Sequence, residues 1–162
     1  MKPEALYKSG ILKPEVGLFN VAVSAIIENS RGEILITRRS IHHIHRPGEW
    51  ELVTGRINQG ETDMIEALKR EVEEEVGLRV DVIAPYRTFY FEHGVDKKPH
   101  FGVNFYCSCP DDQKIVLGKH EEGEQEQDAY KWVLPQEALT AIQDANVREA
   151  VLAYQEFRRH FS

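Results

Sequence analysis

The chain has 162 residues of ordinary globular composition (41% hydrophobic, 29% charged, 11 Gly, 7 Pro) and is acidic, with 27 Asp and Glu against 20 Lys and Arg for a net charge of −7. That length suits one domain, 1–162, with a real core, and nothing points to disorder or fibrous repetition. The excess negative charge repels a polyanionic backbone and argues against general nucleic-acid binding, but leaves a small phosphorylated ligand open, because a bound cation reverses the local field.

The opening MKPEALYKSG has no apolar run and no stretch approaches membrane-spanning length, so a cytoplasmic protein without membrane attachment is expected. Residues 1–17 read as an N-terminal extension. Leu18 to Ile27 (LFNVAVSAII) reads as a buried strand, Asn29-Ser30-Arg31-Gly32 as a turn, and Glu33 to Thr37 as the second arm of a hairpin. Ser40 to Gly48 is a polar, His-rich loop, Trp50 to Val53 a short strand, and Gly55 to Gly60 a glycine-punctuated loop.

The clearest helix follows. Thr62 is its expected N-cap, Ile65, Leu68, Val72 and Val76 form its core-facing stripe, and Gly77 stops it. Strands are predicted at Arg79 to Ile83, Arg87 to Glu92, Phe101 to Cys109, Lys114 to Leu117 and, after an acidic loop, Ala129 to Val133. Pro135 suits the first turn of a helix over Gln136 to Ile142, and Val147, Val151, Tyr154 and Arg158 mark a final amphipathic helix over residues 146–160. The expected fold class is α/β, a mixed β-sheet with helices packed on it. Cys107 and Cys109 fall on one strand face and are poorly placed to bridge each other, which predicts two reduced thiols.

The chemistry concentrates in Arg70 to Leu78 (REVEEEVGL). At about 100° of rotation per residue, Glu71, Glu74 and Glu75 share one helix face, while Glu73 points away beside Lys69 and Val72 and Val76 turn inward. Like charges at this spacing cost about 0.3 kcal/mol per pair on an exposed helix, and more when desolvated. Arg70 compensates only part of that, and a hard dication with oxygen ligands would resolve the rest.

With Gly55 and Glu61 upstream, this segment resembles the Nudix box, G-x5-E-x7-R-E-U-x-E-E-x-G-U, U being apolar. Arg70, Glu71, Val72, Glu74, Glu75, Gly77 and Leu78 match at every specified position. Eight residues rather than seven separate Glu61 from Arg70, an insertion that a helical bulge or an earlier helix start would absorb. Trp50-Glu51-Leu52 and Ala129 to Val133 with Pro135 extend the similarity over Asn20 to Leu139.

The resemblance implies a Nudix-like α/β/α sandwich and hydrolysis of a diphosphate linkage in a nucleoside diphosphate derivative, with Mg²⁺ or Mn²⁺ as cofactor. Glu71, Glu74 and Glu75 would bind the metal, with the Thr54 carbonyl as a further ligand and Arg70 holding the glutamates in place. The general base would be Glu126, six residues before Trp132, or Glu61, with Glu121, Glu122 and Glu124 as competitors. Arg38 and Arg39 are candidates for phosphate contact. Trp50 is a candidate substrate contact, although it and Trp132 suit the core better. His42, His43 and His45 read as solvated loop residues. Val53-Thr54-Gly55 resembles the loop of dihydroneopterin triphosphate pyrophosphatases, which leaves that substrate beside nucleoside triphosphates and sugar nucleotides; a homodimer is left open. The rival readings are a Nudix-fold binding module, disfavoured because no box carboxylate is lost, and an isopentenyl diphosphate isomerase, whose catalytic cysteine lies in the first half of the domain, whereas both cysteines here follow the box.

Overall fold

The computed structural model describes residues 19–92, 97–118 and 126–161. The N-terminal extension with Leu18, and the loop glutamates Glu121, Glu122 and Glu124, lie outside the described residues.

Seven strands form one mixed sheet: β1 (Asn20–Glu28), β2 (Ile34–Arg39), β3 (Trp50–Glu51), β4 (Val53–Arg56), β5 (Asp81–Glu92), β6 (Pro99–Ser108) and β7 (Gln127–Val133). Among the described residues, three helices flank it: α1 (Met64–Val76), α2 (Pro135–Ala141) and α3 (Ala145–Phe161). The sheet runs β3-β2-β1-β6-β5, with β4 also on β1 and β7 also on β2. β1 and β6 are parallel over nine residue pairs, Asn20↔His100 to Glu28↔Ser108, and the other pairings are antiparallel.

Strand alternation divides the core in two. Val23, Ala25, Ile27, Leu35, Val53, Phe105 and Cys107 point to α1 and meet Leu68, Val72 and Val76. Ile26, Ile34, Ile36, Leu52 and Tyr106 point the other way and meet Ala138 of α2 and Ala150, Val151 and Tyr154 of α3. One edge of β1 is shared. Its C-terminal end pairs with β2 through Glu28↔Ile34, while Ala22 to Ala25 pair with Arg56 to Val53 of β4. The sheet therefore forks beside β1, and the predicted strand Trp50 to Val53 is divided at Leu52 between the two branches.

Several expectations are corrected. Asp63, not Thr62, caps α1: its Oδ1 accepts from the Ile65 and Glu66 amides at 2.8 and 3.3 Å, and a carboxylate at the positive helix end outdoes a neutral hydroxyl one residue earlier. Ile65 is 41% exposed because the buried stripe starts one turn later, at Ala67 and Leu68. Lys69 pairs with Glu66, not Glu73. The strands predicted either side of Pro85 are one edge strand, β5, whose register shifts around the residue that has no amide to donate. Lys114 to Leu117 is no strand. Val116 and Gly118 donate their amides to the Val76 and Glu75 carbonyls, so the segment closes the C-terminal end of α1 instead of extending the sheet. Gly77, at φ 68°, takes the left-handed cap as expected.

The capping assignment has a direct test in chemical denaturation. Asp63→Ala is expected to cost about 1 kcal/mol, and Thr62→Ala less than about 0.5 kcal/mol.

Candidate functional site

Arg70 organises the box. Its Nε and Nη2 donate to the two oxygens of Glu61 at 2.6 and 3.0 Å, Nη1 to Glu71 Oε1 at 2.8 Å and Glu74 Oε2 at 3.0 Å, and Nη2 also to the Arg56 carbonyl at 3.1 Å. A guanidinium has five N–H donors, so these contacts occupy all of them. Glu61 also accepts from the Asn58 amide at 2.7 Å. These hydrogen bonds, first that of Arg70, hold its carboxyl below the usual carboxylate range. Both Glu61 oxygens are thus committed to Arg70 and the Asn58 amide. α1 is regular from Met64 through Arg70, so the residue added between Glu61 and Arg70 makes no bulge in the helix.

Gly55 brings β4 against this row. A Cβ there would lie 1.9 Å from Glu71 Cδ, so only glycine lets the carboxylate rest on the strand. The Thr54 backbone adjoins this contact, while its hydroxyl donates to Ser24 Oγ on the opposite face at 2.9 Å. Glu71 is pushed above its ordinary range by burial, against the opposing effect of Arg70.

Glu75 takes a different direction from Glu74. Glu74 stays exposed on Arg70, whereas Glu75 is 8% exposed and turns down onto a polar floor on the sheet. Thr37 and Arg39 of β2, Glu51 of β3 and Gln127 of β7 make that floor. Thr37 is in register with Glu51, and Arg39 with Gln127. A one-residue bulge between Arg38 and Arg39 places Asp128 as the extra residue of β7, which turns Gln127 to the α1 side. Glu51, 9% exposed, accepts from Arg39 Nε at 2.8 Å. Burial pushes Glu51 upward, with Arg39 opposing. Burial pushes Glu75 well above the usual carboxylate range, and the charges of Glu51, Glu126 and Glu71 add to it, with Arg39 offsetting part. Glu126 thus shares one electrostatic neighbourhood with Glu71 and Glu75, and its carbonyl is anchored by the Ser40 amide at 2.8 Å.

The glutamates do not converge on one point: among the described residues, no three acidic, thiol or imidazole side chains sit at metal-ligand spacing. Arg38 and Arg39 face opposite sides of β2. Arg38 pairs with Asp128 at 2.7 Å and lies 5.8 Å over Trp50, whose ring also carries Lys131 at 4.4 Å. Trp50 belongs to the α2 side of the sheet, and Trp132 packs on the α1 core. Arg39 also bonds His43 and the His45 carbonyl, so these loop residues brace an arginine of the floor. Cys107 and Cys109 are buried free thiols, and burial pushes Cys107 up to about 12. Sequence reasoning missed Glu51, Gln127 and Thr37. The one available signal was an acid within an otherwise apolar strand entering the glycine loop.

A mixed sheet between helices, with arginine-held helix glutamates over a glycine strand, defines the α/β class that the box implies. The chain belongs to the Nudix family: the family model described as the NUDIX domain matches residues 18–155. A Nudix hydrolase of Pseudomonas aeruginosa is 32% identical over 78 residues, 48% of this chain and 46% of that protein. The MutT protein of Methanosarcina mazei superimposes with a TM-score of 0.73 at 24% identity, over 89% of this chain and 98% of that one. The NUDIX domain of Shewanella oneidensis NrtR, in complex with ADP ribose, does so at 0.70 and 15% identity, over 97% and 99%. The chain spans between 35% and 63% of the length of the first curated relatives it matches.

The buried acids set a pH dependence. Folded-state values raised above the unfolded ones mean stability that is full below the unfolded carboxylate range and is lost as pH rises through the folded values. The contribution of Glu51 and Glu75 to the stability of the metal-free protein is therefore expected to fall as pH rises from 4, and Glu75→Gln to raise Tm at pH 7 by roughly 3 °C or more while changing little at pH 4. A variant that melts lower than the parent at pH 7 would contradict this.

Proposed function

We propose that the chain is a hydrolase that uses Mg²⁺ or Mn²⁺ to cleave a diphosphate linkage in a nucleoside diphosphate derivative, by attack of water on phosphorus. The observation that carries this reading is the excess of buried negative charge beside Gly55. Glu71, Glu75 and Glu51 are all raised by burial, and Arg39 and Arg70 leave that burden only partly offset. An all-oxygen donor set with unbalanced charge fits a hard dication. Two buried polar atoms at the floor, Thr37 Oγ1 and Gln127 Oε1, also lack a hydrogen-bond partner among the described residues.

Glu71 and Glu75 would hold the ion, with Glu74 and the Thr54 carbonyl as outlying donors. When bound, the ion supplies charge neutralisation at the phosphoryl oxygens and acidifies coordinated water. Glu126, beside Glu71 and Glu75, is assigned as the acceptor of the water's proton. Arg70 keeps the glutamates oriented and Glu61 keeps Arg70 oriented, a role that replaces the general-base alternative for Glu61. Arg38 and Arg39 are bound in ion pairs and are assigned to the frame, and Trp50 to the opposite face, not to phosphate contact. The ADP ribose held by the Shewanella domain supports a nucleotide-like ligand class. Among the described residues no helix is long and apolar enough to cross a membrane, and with both cysteines free we place the protein in the cytoplasm.

The test is a panel of nucleoside triphosphates, sugar nucleotides and dihydroneopterin triphosphate with Mg²⁺ or Mn²⁺, reading phosphate and pyrophosphate separately. Glu71→Gln and Glu75→Gln are expected to lower kcat about a hundredfold or more, and Glu74→Gln less, because its carboxylate is exposed. Binding without turnover across the panel would replace the hydrolase with a nucleotide-binding module.

A further inference from the structure

Gln127 is 4% exposed and sits where two buried acids meet. Its Nε2 donates to Glu75 Oε2 at 3.4 Å, and Glu51 lies on the same polar floor. Turned over, the amide would present its oxygen to the Glu75 carboxylate, so the nitrogen faces that acid. That oxygen is buried and has no hydrogen-bond partner among the described residues, and the same holds for Thr37 Oγ1, whose residue is in register with Glu51. Buried polar atoms are almost always paired, so two unpaired ones on a single floor call for polar ligands there. The bulge at Arg38/Arg39 exists in the one place that turns Gln127 into this floor.

We infer that Gln127 is a positioning residue for the divalent cation, resting on the metal-dependent reading above. Its Nε2 holds Glu75 against the repulsion of the neighbouring acids, and its Oε1 would be free to accept a hydrogen bond from water at the loaded site. Thr37 Oγ1 supplies a second polar contact on the same floor. An apolar residue of equal size would preserve the packing and lose both functions.

The test is calorimetric titration of Mn²⁺ into the metal-stripped full chain, comparing the parent with Gln127→Met. The expected result is a dissociation constant about tenfold weaker in the variant. Turnover lost at low Mn²⁺ is recovered at saturating Mn²⁺, a split that a purely structural residue would not produce. A constant within twofold of the parent's overturns the assignment of Gln127. No Mn²⁺ binding by the parent itself overturns the metal reading beneath it, so the two failures are distinct. Should Gln127→Met not fold, Gln127→Glu decides. A third buried carboxylate is expected to give a larger Mn²⁺-induced rise in Tm than the parent shows, and an equal or smaller rise contradicts the inference.

Discussion

Two carboxylates stripped of water and set side by side repel each other, and each also loses its hydration. Glu75 and Glu51 are in that position between α1 and the sheet, with Glu71 and Glu126 close enough to add to the repulsion. The surrounding groups answer the problem only in part. Arg39 meets Glu51, the Gln127 amide reaches toward Glu75, and Arg70 gathers Glu61, Glu71 and Glu74 on the outer side of the helix. One cation cannot balance two buried anions. The two apolar layers on either side of the sheet supply the stability against which this local cost is held.

Three backbone features, each about one residue in size, put the charges there. The fork at Leu52 sends Glu51 to one branch of the sheet and Gly55 to the other. Gly55 lacks the Cβ that would exclude the Glu71 carboxylate. The bulge beside Arg39 reverses the facing of Gln127. Apolar periodicity in α1 then sets the rotation of the helix. With Leu68, Val72 and Val76 in the core, Glu75 must lie at the edge of the buried stripe and Glu74 must lie outside it. The same geometry separates their roles, one acid lowered onto the sheet and the other left in solvent.

Much of this was legible in the residues. The helix, its carboxylate face and its glycine stop follow from period and spacing, whereas the Glu61-to-Arg70 contact, across nine residues and a loop, came only from the structure. The floor was not legible, because its members come from three strands far apart in sequence and are united only by register. Glu51 looks like an ordinary polar strand position until Trp50 is seen to face the other way. Gln127 is the neighbour of a residue that drew attention, and nothing in the alternation of β7 announces a bulge. Lys114 to Leu117 alternates like a strand, yet its amides are taken by the end of α1. Thr62 and Asp63 are both capping residues, and only the carboxylate's reach to two amides decides between them.

The central claim is that the buried acids over Gly55 are a cation site and not merely a strained core. Anomalous scattering from a crystal soaked in Mn²⁺ addresses it most directly. The account predicts a peak within about 2.5 Å of carboxylate oxygens of both Glu71 and Glu75. Density confined to surface acids, with Glu75 unchanged on its polar floor, would contradict it.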